Sequence, residues 1–497
     1  INQRGATVEA GTAMSMSVTN HLLVNAGVLL TSKLANSTVQ LAAANVTVVG
    51  TVSAGARIDN GAVVKNAEGG AVTLIATDTL RLGGYRYNDN VAVANGGNVS
   101  ATLSVTLNGG SGVSNATYLS AGLWIDNAST VSVDKLTAAS GTITLNGQRD
   151  VRIDGYVLAN QAGGVVNLNA NHTLTLAGMV NGHNTVNLQG GLLDATGYAV
   201  KTMALVYKTN SARSGSGANA GTYFVDDQGR WMDAFGKLVV DASGNAVTET
   251  SGVVSLVSSS LTGGDPIRLT GAVIDTGTGG TIQVSGSGTL YLDGMIGQPY
   301  STNSVPPVSV RTSQVSIHGS ESGQVFVYGD VNAKDRIEIT GQSLTLGEGS
   351  ALKSWGSSGN IEILASGNLL VQSDYTGMGN ASLASADWLH LRGNTVYVAG
   401  DVAAINHVWI NAAQDVRIYG AVSTSGTETT DLIDIRAGVT SDVAHGTSAG
   451  QDRGTLLRSD LQAGSIYVLT AGKISTSGDA RLLAECEGVV RDTPDRK

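Results

Sequence analysis

Cysteine is almost missing from this chain, with one thiol, Cys486, in 497 residues. A disulfide-stapled scaffold is therefore excluded. Proline is scarce, five residues, which excludes a collagen-type helix despite the abundant glycine. Charged residues make up only 14% and hydrophobic ones 42%, the wrong balance for a disordered chain. Basic residues are outnumbered, 29 against 39 acidic, for a net charge of −10, and they form no patch. A nucleic-acid partner is not expected. No apolar run approaches the ~18 residues of a membrane-spanning helix, so no transmembrane segment is expected either. Phenylalanine, at three residues, is too rare to fill a wide core.

Glycine is what the chain has instead, 66 residues, and it recurs in a pattern. Apolar-x-apolar-x-Gly-x-apolar appears at residues 46–52, 151–157, 174–180, 267–273, 290–296, 325–331, 396–402 and 416–422. A second motif, apolar-x-apolar, sits upstream of that glycine. Examples are Val39/Leu41, Val72/Leu74, Ile143/Leu145, Val166/Leu168, Ile282/Val284, Val315/Ile317, Ile337/Ile339, Ile361/Ile363, Leu389/Leu391, Val408/Ile410 and Ile433/Ile435. Alternation of this kind has the period of a strand. Short strands separated by glycine corners, repeating every 20–23 residues, define one coil of a β-solenoid. Coils stack through parallel hydrogen bonds ~4.8 Å apart. The expected fold is an all-β, elongated parallel β-helix. Propeller blades would repeat at ~40 residues, and sandwich domains nearer 100.

Residues 198–250 break the rhythm. Phe224, Trp231 and Phe235 cluster there, and Asp-x-x-Gly recurs from Asp226, Asp233 and Asp241. Asp opening a turn closed by Gly is hairpin chemistry, so a small β-meander is expected. The expected organisation is solenoid over 1–197, meander over 198–250, solenoid over 251–485 and a frayed tail over 486–497. Residues 84–98, 297–313 and 440–455 are further loop candidates.

Copies such as GVVNLNANHTLTLAG (164–178) and GNIEILASGNLLV (359–371) resemble repeats of the filamentous haemagglutinin-like adhesins. Those are long proteins that Gram-negative bacteria export by two-partner secretion. The resemblance covers most of the chain outside 198–250. It implies a right-handed β-helix, an extracellular or cell-surface location on a Gram-negative-type bacterium, and a role in adhesion. It supplies no catalytic residues. The family's N-terminal secretion motifs are not found. The opening Ile1-Asn2-Gln3 reads as a processed product or an interior piece of a longer protein.

Candidate sites follow from stacking, because equivalent positions in successive coils form a ladder. The central residue of the second motif points outward. Down the chain it reads Ser316, Glu338, Glu362, His390, Trp409, Asp434. Glu338 and Glu362 in adjacent coils would lie ~4.8 Å apart at the backbone. Two carboxylates that close are what a retaining glycosidase uses. Nearer the N-terminus the same ladder is neutral, Gln40, Thr73, Thr144 and Asn167, and can hydrogen-bond along itself. Outward aromatics form the second candidate set: Tyr291, Phe326, Tyr328, Tyr397, Trp409 and Tyr419, with Trp231 in the meander. Such rings stack on sugars or partner proteins, or on each other across strands.

The seven histidines show no metal-ligand spacing, the aspartates no calcium-loop spacing, and no nucleotide-binding motif is present. No cofactor or metal is expected. The main functional expectation is a non-enzymatic stalk or filament that mediates attachment or assembly. Its partners would be neighbouring segments or copies, packed end to end or laterally, and glycans or proteins on a host or neighbouring cell. Two alternatives stand beside it: a carbohydrate-active enzyme using Glu338 and Glu362, and a sheath or surface-layer subunit.

Overall fold

The computed structural model describes residues 6–59, 62–88, 91–110, 121–125, 129–133, 141–159, 163–182, 184–196, 199–202, 224–225, 231–232, 252–259, 267–276, 279–297, 312–376, 378–425, 432–437, 454–457, 461–470, 473–476 and 482–492. Among them there are strands, turns and bends but no helix. The chain falls into two compact units, residues 1–261 with 272–280, and residues 262–271 with 281–497.

In the first unit each coil contributes to three strand faces, each paired in parallel with its equivalent on the next coil. Face A runs through Ala13–Ser17, residues 38–43, residues 71–76, Ser104–Gly109, Thr142–Gly147, Val165–Ala170, Thr185–Gly190 and Val253–Ser258. Face B includes His21–Val24, Ala121–Ile125, Asp150–Ile153, Thr173–Leu176 and Leu192–Thr196. Thr38–Val48 and Ala71–Leu82 run on from face A to face B as single strands. Face C includes Leu29–Ser32, Thr51–Ala54, Asn98–Ala101, Thr130–Val133, Tyr156–Ala159 and Met179–Gly182. This is the expected parallel β-solenoid.

The reason is visible in one register line. Leu41, Leu74, Leu107, Leu145 and Leu168 are partners in turn and point inward, each at 0% exposure. Stacking like on like repeats one packing contact from coil to coil. Burying each such side chain contributes about 1.5–3 kcal/mol.

The second unit repeats the scheme. Face A holds Thr312–Gly319, Arg336–Gly341, Asn360–Ala365, Trp388–Gly393, His407–Ala412 and Leu432–Ala437. Face B holds Gln324–Val327, Ser343–Leu346, Asn368–Val371, Thr395–Val398 and Val416–Ile418. Face C holds Asp330–Ala333, Ala351–Ser354, Ser382–Ser385, Asp401–Ala404 and Val422–Thr424.

Several boundaries differ from expectation. Ala199–Thr202, inside the expected meander, pairs in parallel with residues 273–276 and so is part of the solenoid. Within 198–250 the described remainder is one two-residue antiparallel pair, Phe224–Val225 with Trp231–Met232. Val253–Ser258, expected to open the second half, resumes the first unit's face A with Val186 opposite Val254. The expected frayed tail is in strand as far as Asp492, where residues 487–492 pair with 465–470. Its charged ends concealed the Gly488-Val489-Val490 centre. The 84–98 candidate is an antiparallel hairpin, Gly84–Asn88 with Val91–Asn95. A second hairpin, Ala56–Asp59 with Ala62–Lys65, was not anticipated. The 297–313 and 440–455 candidates lie almost wholly outside the described residues.

Coil length also varies more than 20–23. Asn169 contacts Asn146 at a separation of 23, and Asn187 contacts Asn167 at 20, but Asn146 contacts Asn108 at 38. Corners lie outside the strand ladder and absorb insertions while the strands keep register.

The motif glycines have a specific cause. A Cβ on Gly178 would sit 2.0 Å from the Gly155 carbonyl oxygen, one on Gly329 2.0 Å from that of Gly294, and one on Gly420 1.9 Å from that of Gly400. Successive corners stack backbone on backbone, and only glycine fits. Gly271 is different. It has open space around it but a φ of 63°.

Candidate functional site

The ladder expected on the second unit forms, residue for residue. Ser316 is opposite Glu338, Glu338 opposite Glu362, Glu362 opposite His390, His390 opposite Trp409, and Trp409 opposite Asp434. Strand pleating turns the residues two positions away to the same face. Arg336, Trp388 and His407 therefore flank the ladder on one side, and Asn411 and Arg436 on the other.

The acidic pair is bridged. Arg336 Nη2 lies 2.8 Å from Glu362 Oε2 and 3.1 Å from Glu338 Oε2. Both carboxylates face one guanidinium nitrogen, which supplies the opposite charge that neighbouring acids need. The cation missing from the sequence reading of this cluster is thus Arg336, two residues before Glu338. The polar chain continues as His390 Nδ1 approaches Glu362 Oε1 at 3.7 Å and Asn411 Nδ2 donates to His390 Nε2 at 3.1 Å. At the far end Arg436 forks onto the buried Asp434, with Nη2 to Oδ2 at 2.6 Å and Nε to Oδ1 at 3.0 Å.

The aromatic candidates fall into separate groups. Trp409 stacks on His407 at 5.0 Å and meets Trp388 obliquely at 5.8 Å. Trp388, His390, Trp409, Asn411 and Arg436 line a cleft of ≈ 350 Å³. Tyr291 and Phe326 are register partners on face B, and Tyr328 closes on both, at 5.3 and 6.4 Å. Burial raises the Tyr328 hydroxyl pKa above its ordinary value, helped by Tyr291 and Glu348. Tyr397 and Tyr419 stack at 4.8 Å. These two groups are half-buried and use their faces on each other. Trp231 lies in the short antiparallel pair, and its side chain is outside the described residues.

The first unit's face A is neutral, as expected. Gln40, Thr73, Thr106, Thr144, Asn167 and Asn187 are successive partners. Beside them Asn169 donates to Asn146 at 2.8 Å, and Asn146 to Asn108 at 2.9 Å. Face B carries a cluster that sequence reasoning missed. The Arg81 guanidinium lies 4.2 Å from the Trp124 ring centre and that of Arg152 lies 5.8 Å away, while Trp124 Nε1 donates to Asp154 at 3.0 Å. The outward central positions of adjacent strands, Arg81, Trp124 and Arg152, could have revealed it.

Among the described residues no group of three or more His, Cys, Asp or Glu side chains could hold a metal, and no helix is long and apolar enough to cross a membrane. The fold defines the class, a parallel β-solenoid. Beyond the class, no protein-family model, no curated protein and no solved structure matches the chain.

Proposed function

We propose that the chain is a structural and adhesive segment of a large secreted or cell-surface filamentous protein of a Gram-negative-type bacterium. It acts as a rigid stalk for attachment or assembly. The observation that carries this reading is the unbroken register of the outward rows in both units. Side chains answer one another from coil to coil, as in the Asn108–Asn146–Asn169 row, which suits a stiff scaffold. The repeat resemblance to filamentous haemagglutinin-like adhesins supports the adhesive part. Bare solenoid ends would present strand edges to neighbouring segments or copies, which favours assembly.

One observation speaks for the enzymatic alternative, the register of Glu338 against Glu362. The Arg336 bridge speaks against it, because one guanidinium nitrogen already engages both carboxylates, at 2.8 and 3.1 Å, instead of leaving them open to a substrate. Electron microscopy of the protein as secreted tests the choice. Filaments with a ~4.8 Å axial repeat are expected. Discrete particles that release reducing ends from polysaccharide, and stop doing so as Glu338→Gln or Glu362→Gln, would overturn the reading.

A further inference from the structure

We infer that the cleft beside Trp409 binds one ring of a neutral saccharide. The inference rests on the adhesive reading and names the ligand class for it.

The shape comes from the two indoles. Trp388 and Trp409 meet at 61° with centroids 5.8 Å apart, so they form two sides of a notch rather than a closed stack. His407 lies parallel to Trp409, at 11° and 5.0 Å, and covers one of its faces from outside the cleft. The open cleft of ≈ 350 Å³ is at the small end of ligand sites, which run from about 300 Å³ upward. It suits a single ring better than an extended chain.

The chemistry comes from Asn411. Its Nδ2 is committed to His390 Nε2 at 3.1 Å, while its Oδ1 is buried and accepts no hydrogen bond within the protein. A buried acceptor left empty is costly, and a small rotation of the Asn411 side chain, which lines the cleft, would bring it to a ligand hydroxyl. Turning the amide over would leave an orphan donor instead, and a hydroxyl answers that equally well. His390 is itself held from behind by Glu362 at 3.7 Å, which steadies the amide it meets.

The charge selects against an acid. Arg436 is the one arginine or lysine in the lining, and it is forked onto Asp434, a carboxylate with 4% of its side chain exposed. An anionic sugar would have to compete with that pair. Aromatic walls, an orphan hydrogen-bonding group and a neutralised cation together match a pyranose, which has an apolar C–H face and a rim of hydroxyls.

Ligand-observed saturation-transfer NMR on the full chain tests the site, with cellobiose, lactose and maltose as neutral probes and 3′-sialyllactose as the acidic one. Saturable binding of at least one neutral disaccharide is expected. Trp409→Ala should weaken it about tenfold or more. Asn411→Ala, a smaller change that leaves the indoles in place, should weaken it several-fold. Trp124→Ala, on the other unit, should change nothing. The inference is overturned if the native protein binds none of the three neutral sugars, if it binds only the acidic one, or if Asn411→Ala and Trp409→Ala bind as the native chain does. Loss of sugar binding with filaments intact by microscopy strikes this site alone, whereas absence of filaments strikes the stalk reading.

Discussion

The two units are alike on the inside and differ on the outside. Leu145 and Ile363 occupy equivalent inward positions on face A, both at 0% exposure. The outward rows above them have diverged. The first unit carries Thr144, Asn167 and Asn187, neutral groups between like neighbours. The second carries Glu338, Glu362, His390 and Trp409, a change of chemistry at almost every coil. The inward rows therefore hold the fold and the outward rows are available for contact. A uniform row satisfies itself, whereas a mixed row leaves atoms such as Asn411 Oδ1 without a partner in the protein.

On that division the largest effects are inward and equal in the two units. Leu145→Ala and Ile363→Ala should each cost about 2–5 kcal/mol in denaturant unfolding. An outward substitution that costs as much would break the comparison. Next come the stacked corners. Gly178→Ala and Gly420→Ala should each cost about 1–3 kcal/mol, because a methyl group meets the neighbouring coil's carbonyl.

Outward changes should be smaller and should separate the units by salt. Asn146→Ala removes two amide contacts and should cost about 1 kcal/mol at any ionic strength. Glu362→Gln loosens a pair whose arginine is 42% exposed, so solvent screening limits the cost to about 0.5 kcal/mol or less. That cost should shrink further at ~1 M salt.

The smallest effect is in pH dependence. Burial raises the Asp330 pKa, and a backbone hydrogen bond from Ala351 partly opposes this. A raised folded pKa adds stability at low pH that is lost as pH rises through it. Asp330→Asn should therefore raise the melting temperature slightly at neutral pH, with the gain fading below pH ~4. A gain that grows on acidification would contradict the assignment.

The inward rows were legible because alternation at Val39/Leu41 or Ile361/Ile363 is a strand signal whatever the fold. The outward ladder from Ser316 to Asp434 was legible because the same motif indexed it. Thr106 and Asn187 were passed over in the first unit, where insertions between coils obscure the spacing. Arg336, Trp388, His407, Asn411 and Arg436 were missed for another reason. The reading followed one residue per strand, while pleating turns the positions two away to the same surface. The glycines were seen as corners, which names their place and not their cause. At Gly178, Gly329 and Gly420 the cause is the approach of the next corner, a contact between coils that no single repeat displays.

The register of the second unit's outward row is the central claim, and a disulfide tests it directly. In a Cys486→Ser background, Glu338→Cys with Glu362→Cys places two thiols on adjacent coils, within the Cα separation a disulfide accepts. Glu338→Cys with Trp409→Cys places them three coils apart. Under mild oxidation the first pair should close nearly completely without loss of fold, and the second should stay reduced. Closure of the second pair, or failure of the first in a folded protein, would contradict the stacking on which the account depends.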